Sequence, residues 1–81
     1  MNHDSKKYIK KRNKAVYSLD VETFKHFLRE ENLYIPDYPD WFWMGTMAKV
    51  IMNITDSPND KRDWARGVLS TLGWSEKLNL Y

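Results

Sequence analysis

The stretch Trp41–Ile54, WFWMGTMAKVIMNI, decides the fold. At the 3.6-residue period of a helix, Trp41, Trp43, Met44, Met47, Ala48, Val50, Ile51, Met52 and Ile54 sweep rather more than half of the circumference. Gly45, Thr46, Lys49 and Asn53 fill the remainder, with Phe42 among them, which makes Phe42 the ring expected to face solvent. So wide an apolar arc belongs to a helix with neighbours on more than one side. The other segments read as the pieces that cover it. The expected fold is all-α: a compact four-helix domain packed around its hydrophobic third helix.

Upstream of this helix, Leu33–Asp40 (LYIPDYPD) cannot be regular helix. Pro36 and Pro39 lack amide donors and push the preceding residues toward extended geometry. The segment reads as a turn-rich connector that lays Leu33 and Ile35 on the core, with Asp40 capping the central helix. Before it, a second helix is expected over 20–31. Asp20 suits its N-cap, Leu19 and Phe24 are spaced for a hydrophobic staple, and Asn32 suits a left-handed stop. Val21, Phe24, Phe27 and Leu28 share its apolar face. The first helix is expected over 5–17, with residues 1–4 as a flexible N-terminus. Lys7, Lys10, Lys11 and Lys14 fall at i, i+3, i+4 and i+7 and form one basic stripe; Tyr8, Ile9, Ala15, Val16 and Leu19 lie opposite, with Arg12 among them.

Downstream, Ser57-Pro58-Asn59-Asp60 is a helix start, with Ser57 as N-cap and Pro58 at the first helical position. The fourth helix is expected over 58–72, burying Trp64, Ala65, Val68, Leu69 and Leu72. Gly73 suits a Schellman turn that sets Trp74 on Leu69. Residues 75–81 form a tail with Leu78, Leu80 and Tyr81.

With 81 residues and no cysteine, one domain without disulfides, thiol chemistry or cysteine metal sites is expected. No run approaches the roughly 20 apolar residues of a membrane span, and no apolar segment follows the basic N-terminus as in a signal peptide. An intracellular, cytoplasmic protein without membrane contact is expected. Charge is uneven: residues 1–17 carry Lys6, Lys7, Lys10, Lys11, Arg12 and Lys14 against Asp4, whereas the rest of the chain is mildly acidic. A basic arm on an acidic body is the clearest functional sign in the composition.

Catalytic chemistry finds little footing. His3 and His26 are too few and too far apart for a metal cage, and His26 sits between Glu22 and Glu30 as a surface ion-pairing residue. Asp37, Asp40 and Asp60 occupy turn and helix-start positions. The three glycines lack phosphate-loop spacing, and no serine lies in a nucleophile motif. A non-enzymatic protein without cofactor or metal is therefore expected.

Three binding surfaces remain. The basic stripe suits phosphate or an acidic protein surface. Tyr34, Tyr38, Trp41 and Phe42, around the two prolines, suit aromatic anchoring of a protein partner, or else coverage of a small core. Helices three and four have the spacing of a helix-turn-helix, with Asn59, Lys61, Arg62 and Arg66 toward DNA, although Asp56, Asp60 and Asp63 oppose that charge.

The runs RNKAVYSLDVETFKHFLREENL, FWMGTMAKVIMNIT and WARGVLSTLGW, spanning roughly residues 12–74, resemble small proteins of phages and mobile elements from low-GC Gram-positive bacteria. That group often has a His-Lys pair in the central helix where this chain has Met47-Ala48-Lys49. Only the lysine fits, and no active site carries over. The resemblance implies an inhibitor or adaptor that binds a host protein or ribonucleoprotein, such as an anti-CRISPR protein acting on a CRISPR effector. In that expectation the basic helix (Lys6, Lys7, Lys10, Lys11, Arg12, Lys14) occupies a nucleic-acid or acidic site, and Tyr34, Tyr38, Trp41 and Phe42 anchor the contact. The alternative is a small nucleic-acid-binding regulator that uses the basic helix directly.

Overall fold

The computed structural model describes residues 5–76. Four helices follow one another: α1 (Ser5–Tyr17), α2 (Val21–Glu30), α3 (Asp40–Met52) and α4 (Asn59–Leu72). The helix α3 packs on all three others; α4 packs chiefly on α3, and α1 and α2 pack on each other and on α3. The radius of gyration, 12.6 Å, is near the ~12 Å of a folded chain of this length. Met47, Ala48 and Ile51 of α3 are wholly buried, joined by Trp43. Around them close Ala15 and Val16 of α1, Phe24 and Phe27 of α2, and Ala65 and Leu69 of α4. Burial of each large side chain in this set is worth about 1.5–3 kcal/mol.

Local chemistry explains the helix ends. The Asp20 carboxylate caps α2, accepting from the Thr23 amide at 2.9 Å and the Thr23 hydroxyl at 2.7 Å. These bonds hold its carboxyl below the ordinary value of 3.8. Asn32 is left-handed (φ 59°), and the Leu33 amide donates to the Leu28 carbonyl at 3.0 Å. Gly73 (φ 72°) closes α4 in the same way, with the Trp74 amide donating to Leu69 at 2.9 Å. Both ends are Schellman turns. Between α1 and α2, Leu19 is left-handed (φ 59°), a strained conformation for a branched-chain residue. The Ser18 hydroxyl braces this link, donating to the Ala15 carbonyl at 2.6 Å and accepting from the Asp20 amide at 3.1 Å.

Several expectations change. Asp40 does not cap α3; Pro39 occupies that position without a side-chain bond, and Asp40 is the first helical residue. Ser57 does not cap α4 either. It is buried, donates to the Ile51 carbonyl at 2.7 Å and meets the Tyr17 hydroxyl at 3.0 Å. With its one proton given to Ile51, Ser57 accepts from Tyr17, tying the end of α1 to the α3–α4 turn. The central helix ends at Met52, two residues earlier than expected. Of the connector, Ile35 packs on the core, whereas Leu33 is exposed.

The polar side of α3 is not left to solvent. Trp74 lies across Gly45, where a Cβ would meet the indole Cε3 at 2.7 Å and the Leu72 Cδ1 at 2.8 Å. The Trp74 ring thus seats on α3 at Gly45, which leaves a Cβ-sized gap for it, and packs against the core that contains Leu69. Beyond it the Glu76 carbonyl accepts from the Asn53 side chain at 2.9 Å. Residues 1–4, with His3, and 77–81, with Leu78, Leu80 and Tyr81, lie outside the described residues.

Candidate functional site

The lysine stripe forms as its spacing requires. Lys6, Lys7, Lys10, Lys11 and Lys14 are exposed on α1, and none has an ion-pair partner among the described residues. Arg12 departs from the set. It is half-buried, and its guanidinium donates to the Asn13 side chain at 2.8 and 3.1 Å. Tyr8 and Ile9, expected on the inward face, remain exposed.

The aromatic set divides. Tyr34 is 86% exposed and Trp41 53% exposed, and Tyr38 is also open. Phe42 is not the exposed ring its wheel position suggests. It is half-buried, 4.3 Å from Tyr38, 5.6 Å from Trp43 and 5.7 Å from Trp74 between ring centroids. Trp74, which closes this set by meeting Trp41 edge-on at 6.2 Å, escapes a search confined to the connector. Its signal was Gly45, a glycine inside an otherwise strongly apolar helix. Lys49 lies 5.5 Å above the Trp74 ring, a cation–π contact that further holds it.

Behind Trp41 runs an open apolar groove of about 480 Å³. Trp41 and Met44 of α3 form one wall; Trp64, Val68 and Leu72 of α4 form the other, with Asp63 at the rim. Of the face expected to be buried, Ala65 and Leu69 are fully buried, whereas Trp64, Val68 and Leu72 are half-buried, Trp64 and Val68 packing against the core. The other three make a second stripe that α3 covers only in part. Gly67 adds to the opening, since a Cβ there would meet nothing within 4 Å. A side chain at that position would project into the groove.

The helix-turn-helix expectation loses its cations. Arg62 is spent on the α3–α4 turn, donating to the carbonyls of Ile54 at 2.8 Å, Thr55 at 3.0 Å and Ser57 at 3.2 Å. Lys61 lies 3.7 Å from Asp60, and Arg66 lies 3.3 Å from Asp63. His26 sits where the sequence put it, on the outer face of α2, 3.2 Å from Glu30. No helix among the described residues is long and apolar enough to cross a membrane.

The lysine stripe and the aromatic set share no ring or ion-pair contact among the described residues. Comparison with protein-family models, curated proteins and solved structures finds no match to this chain.

Proposed function

We propose that this chain is a non-enzymatic binding protein that acts by occupying the surface of a host protein or ribonucleoprotein in the host cytoplasm. The observation that carries the reading is the groove beside Trp41. A small domain in need of every ring for its core leaves Trp41 about half exposed at the wall of an apolar groove, with Tyr34 and Tyr38 open nearby. Exposed apolar surface of this kind, rimmed by polar groups, marks partner binding in soluble proteins. Trp and Tyr are the side chains that most often anchor such contacts. The resemblance to small phage proteins makes an anti-defence inhibitor, in particular an anti-CRISPR protein, the concrete form of the reading. The unpaired lysines of α1 would speed the encounter and orient it, more than they add to final affinity.

The test is phage plating on a Gram-positive host with an active CRISPR system, with and without expression of this chain. Plating is expected to rise with the chain and to fall back with Trp41→Ala or Gly67→Leu. The second variant fills the groove without touching the core. No effect of the chain on plating would remove the anti-CRISPR reading. Full activity of both variants would remove the groove from it.

A further inference from the structure

The groove beside Trp41 leaves the cleft between α1 and α2 unexplained. On α1, Tyr8, Lys11 and Ala15 fall at i, i+3 and i+7 on the flank turned toward α2. On α2, His26, Phe27 and Glu30 face them. Between the two helices lies a cleft of about 260 Å³, with buried Ala15 and Phe27 at its floor and exposed Lys11, Lys14 and His26 at its rim. The Tyr8 ring is held at 5.6 Å from Phe27 yet stays 39% exposed. It is positioned by the fold and still open on one side.

We propose that this cleft and the α1 edge beside it seat single-stranded nucleic acid, with Lys11 and Lys14 at the cleft rim and Lys7 and Lys10 farther round the helix holding the phosphates, and with Tyr8, on the flank next to Lys11, stacking a base. The stripe runs for about 10 Å along α1, taking the helical rise per residue. Its charges are free to replace counterions, since none is paired within the described fold. A positively charged track with an aromatic platform beside it is the arrangement that binds unpaired strands. A duplex would use only the lysines, because its bases are already stacked and could reach neither Tyr8 nor the apolar floor. Glu30, the carboxylate that lines the cleft, lies 3.2 Å from His26 Nε2. This site is separate from the Trp41 groove and does not rest on the partner reading above.

The experiment is fluorescence anisotropy of a labelled dodecathymidylate with the full chain at low salt, beside a duplex of the same length and phosphatidylserine-containing vesicles. The strand is expected to bind, and more tightly than the duplex. Its affinity is expected to fall with salt at a log–log slope of roughly −3, the value for about four phosphate contacts on a single strand. Lys11→Gln with Lys14→Gln reduces the magnitude of that slope by about 1.4. Tyr8→Leu lowers affinity by about fivefold or more at an unchanged slope, from the loss of one stacked base. Tyr8→Phe, which keeps the ring, binds as the parent does, and circular dichroism checks that each variant folds. Trp41→Ala leaves strand binding intact, so failure here and failure of the groove reading are distinguishable. No strand binding at low salt overturns the proposal. Equal strand and duplex affinity with no effect of Tyr8→Leu reduces the site to a bare polyanion surface and also overturns it. Preferential binding to vesicles would assign the face, with exposed Ile9, to a membrane instead.

Discussion

Gly45→Ala is the sharpest probe of this architecture, because two effects of known sign compete at one atom. Alanine in a helix interior is favoured over glycine by about 1 kcal/mol. Were Gly45 an ordinary position on a polar helix face, the substitution would stabilise the protein. The new Cβ, however, would fall within 3 Å of the Trp74 indole and of the Leu72 methyl group. The Leu72 methyl is the end of a flexible side chain and can rotate away. The Trp74 ring cannot, since its amide is bonded to Leu69 and its edges meet Trp41 and Phe42. Forcing extra volume into such a site costs about 1–3 kcal/mol. Expelling the ring instead forfeits its burial and its edge-to-face contacts, each pair worth about 0.5–1.5 kcal/mol. Net of the helical gain, the overpacking route destabilises by about 1 kcal/mol and the expulsion route by about 2 kcal/mol or more, a fall in Tm of roughly 4–8 °C for each kcal/mol in a domain of this size. Urea unfolding followed by far-ultraviolet circular dichroism measures it without relying on the fluorescence of the altered tryptophan site. In a Trp74→Ala background the obstacle is gone, and Gly45→Ala should become stabilising by up to about 1 kcal/mol. The reversal of sign is the test: the same effect of Gly45→Ala in both backgrounds would refute the seating of Trp74 on α3.

Ser57→Ala strands the Tyr17 hydroxyl and removes a bond to the Ile51 carbonyl; a loss of about 1–3 kcal/mol in urea unfolding is expected, with Tyr17→Phe costing less. Gly67→Ala is expected to raise stability by about 1 kcal/mol, because its Cβ meets open space in a helix, and thermal unfolding should show the rise. Asp20 tests the pH dependence. Its folded carboxyl lies below the ordinary value of 3.8, so its contribution is present above that pH and is lost as pH falls through the folded value. The stability advantage of the parent over Asp20→Ala should therefore be constant near neutrality and shrink in acid titration below about pH 4; an advantage that persisted unchanged into strong acid would deny the Thr23 cap. Arg62→Ala leaves three turn carbonyls without their shared donor and should lower Tm more than Arg66→Ala, whose exposed pair with Asp63 contributes little.

Most helix ends follow from local signals. The bounds of α1 match, the Asp20 cap and the left-handed Asn32 and Gly73 stand where their chemistry demands, and the start of α4 moves by one residue. All of these depend on neighbours within about five positions along the chain. The errors share the opposite character. Ser57 and Asp40 have the residue type of a cap, but a cap side chain must be free to turn back on its own helix. Ser57 instead meets Tyr17, forty residues away in sequence. Arg62 looked like a surface cation until the α3–α4 turn brought three carbonyls to it.

The candidate surfaces follow the same division. The lysine stripe was legible because it is a property of one helix: residues at i, i+3, i+4 and i+7 share a face whatever that helix packs against. The burial of Phe42 and the groove were not, because each depends on which neighbour arrives. A helical wheel ranks positions by the residues around them on one helix, and it placed Phe42 outside. Trp74, from beyond α4, fills the seat at Gly45 and covers Phe42, while α4 reaches only part of the face that carries Trp41 and Met44.

The sequence by itself therefore determined the four helices, the ends made by Asp20, Asn32 and Gly73, the single basic face and the apolar third helix on which the others converge. Each of these is set by backbone geometry and by side chains a turn or less apart. Only the tertiary structure decided which apolar side chains are covered, since coverage is a property of two surfaces that meet and the chain does not encode their meeting at any one place. That decision turned a uniformly apolar central helix into a scaffold with one open flank, and left Trp41 at its edge.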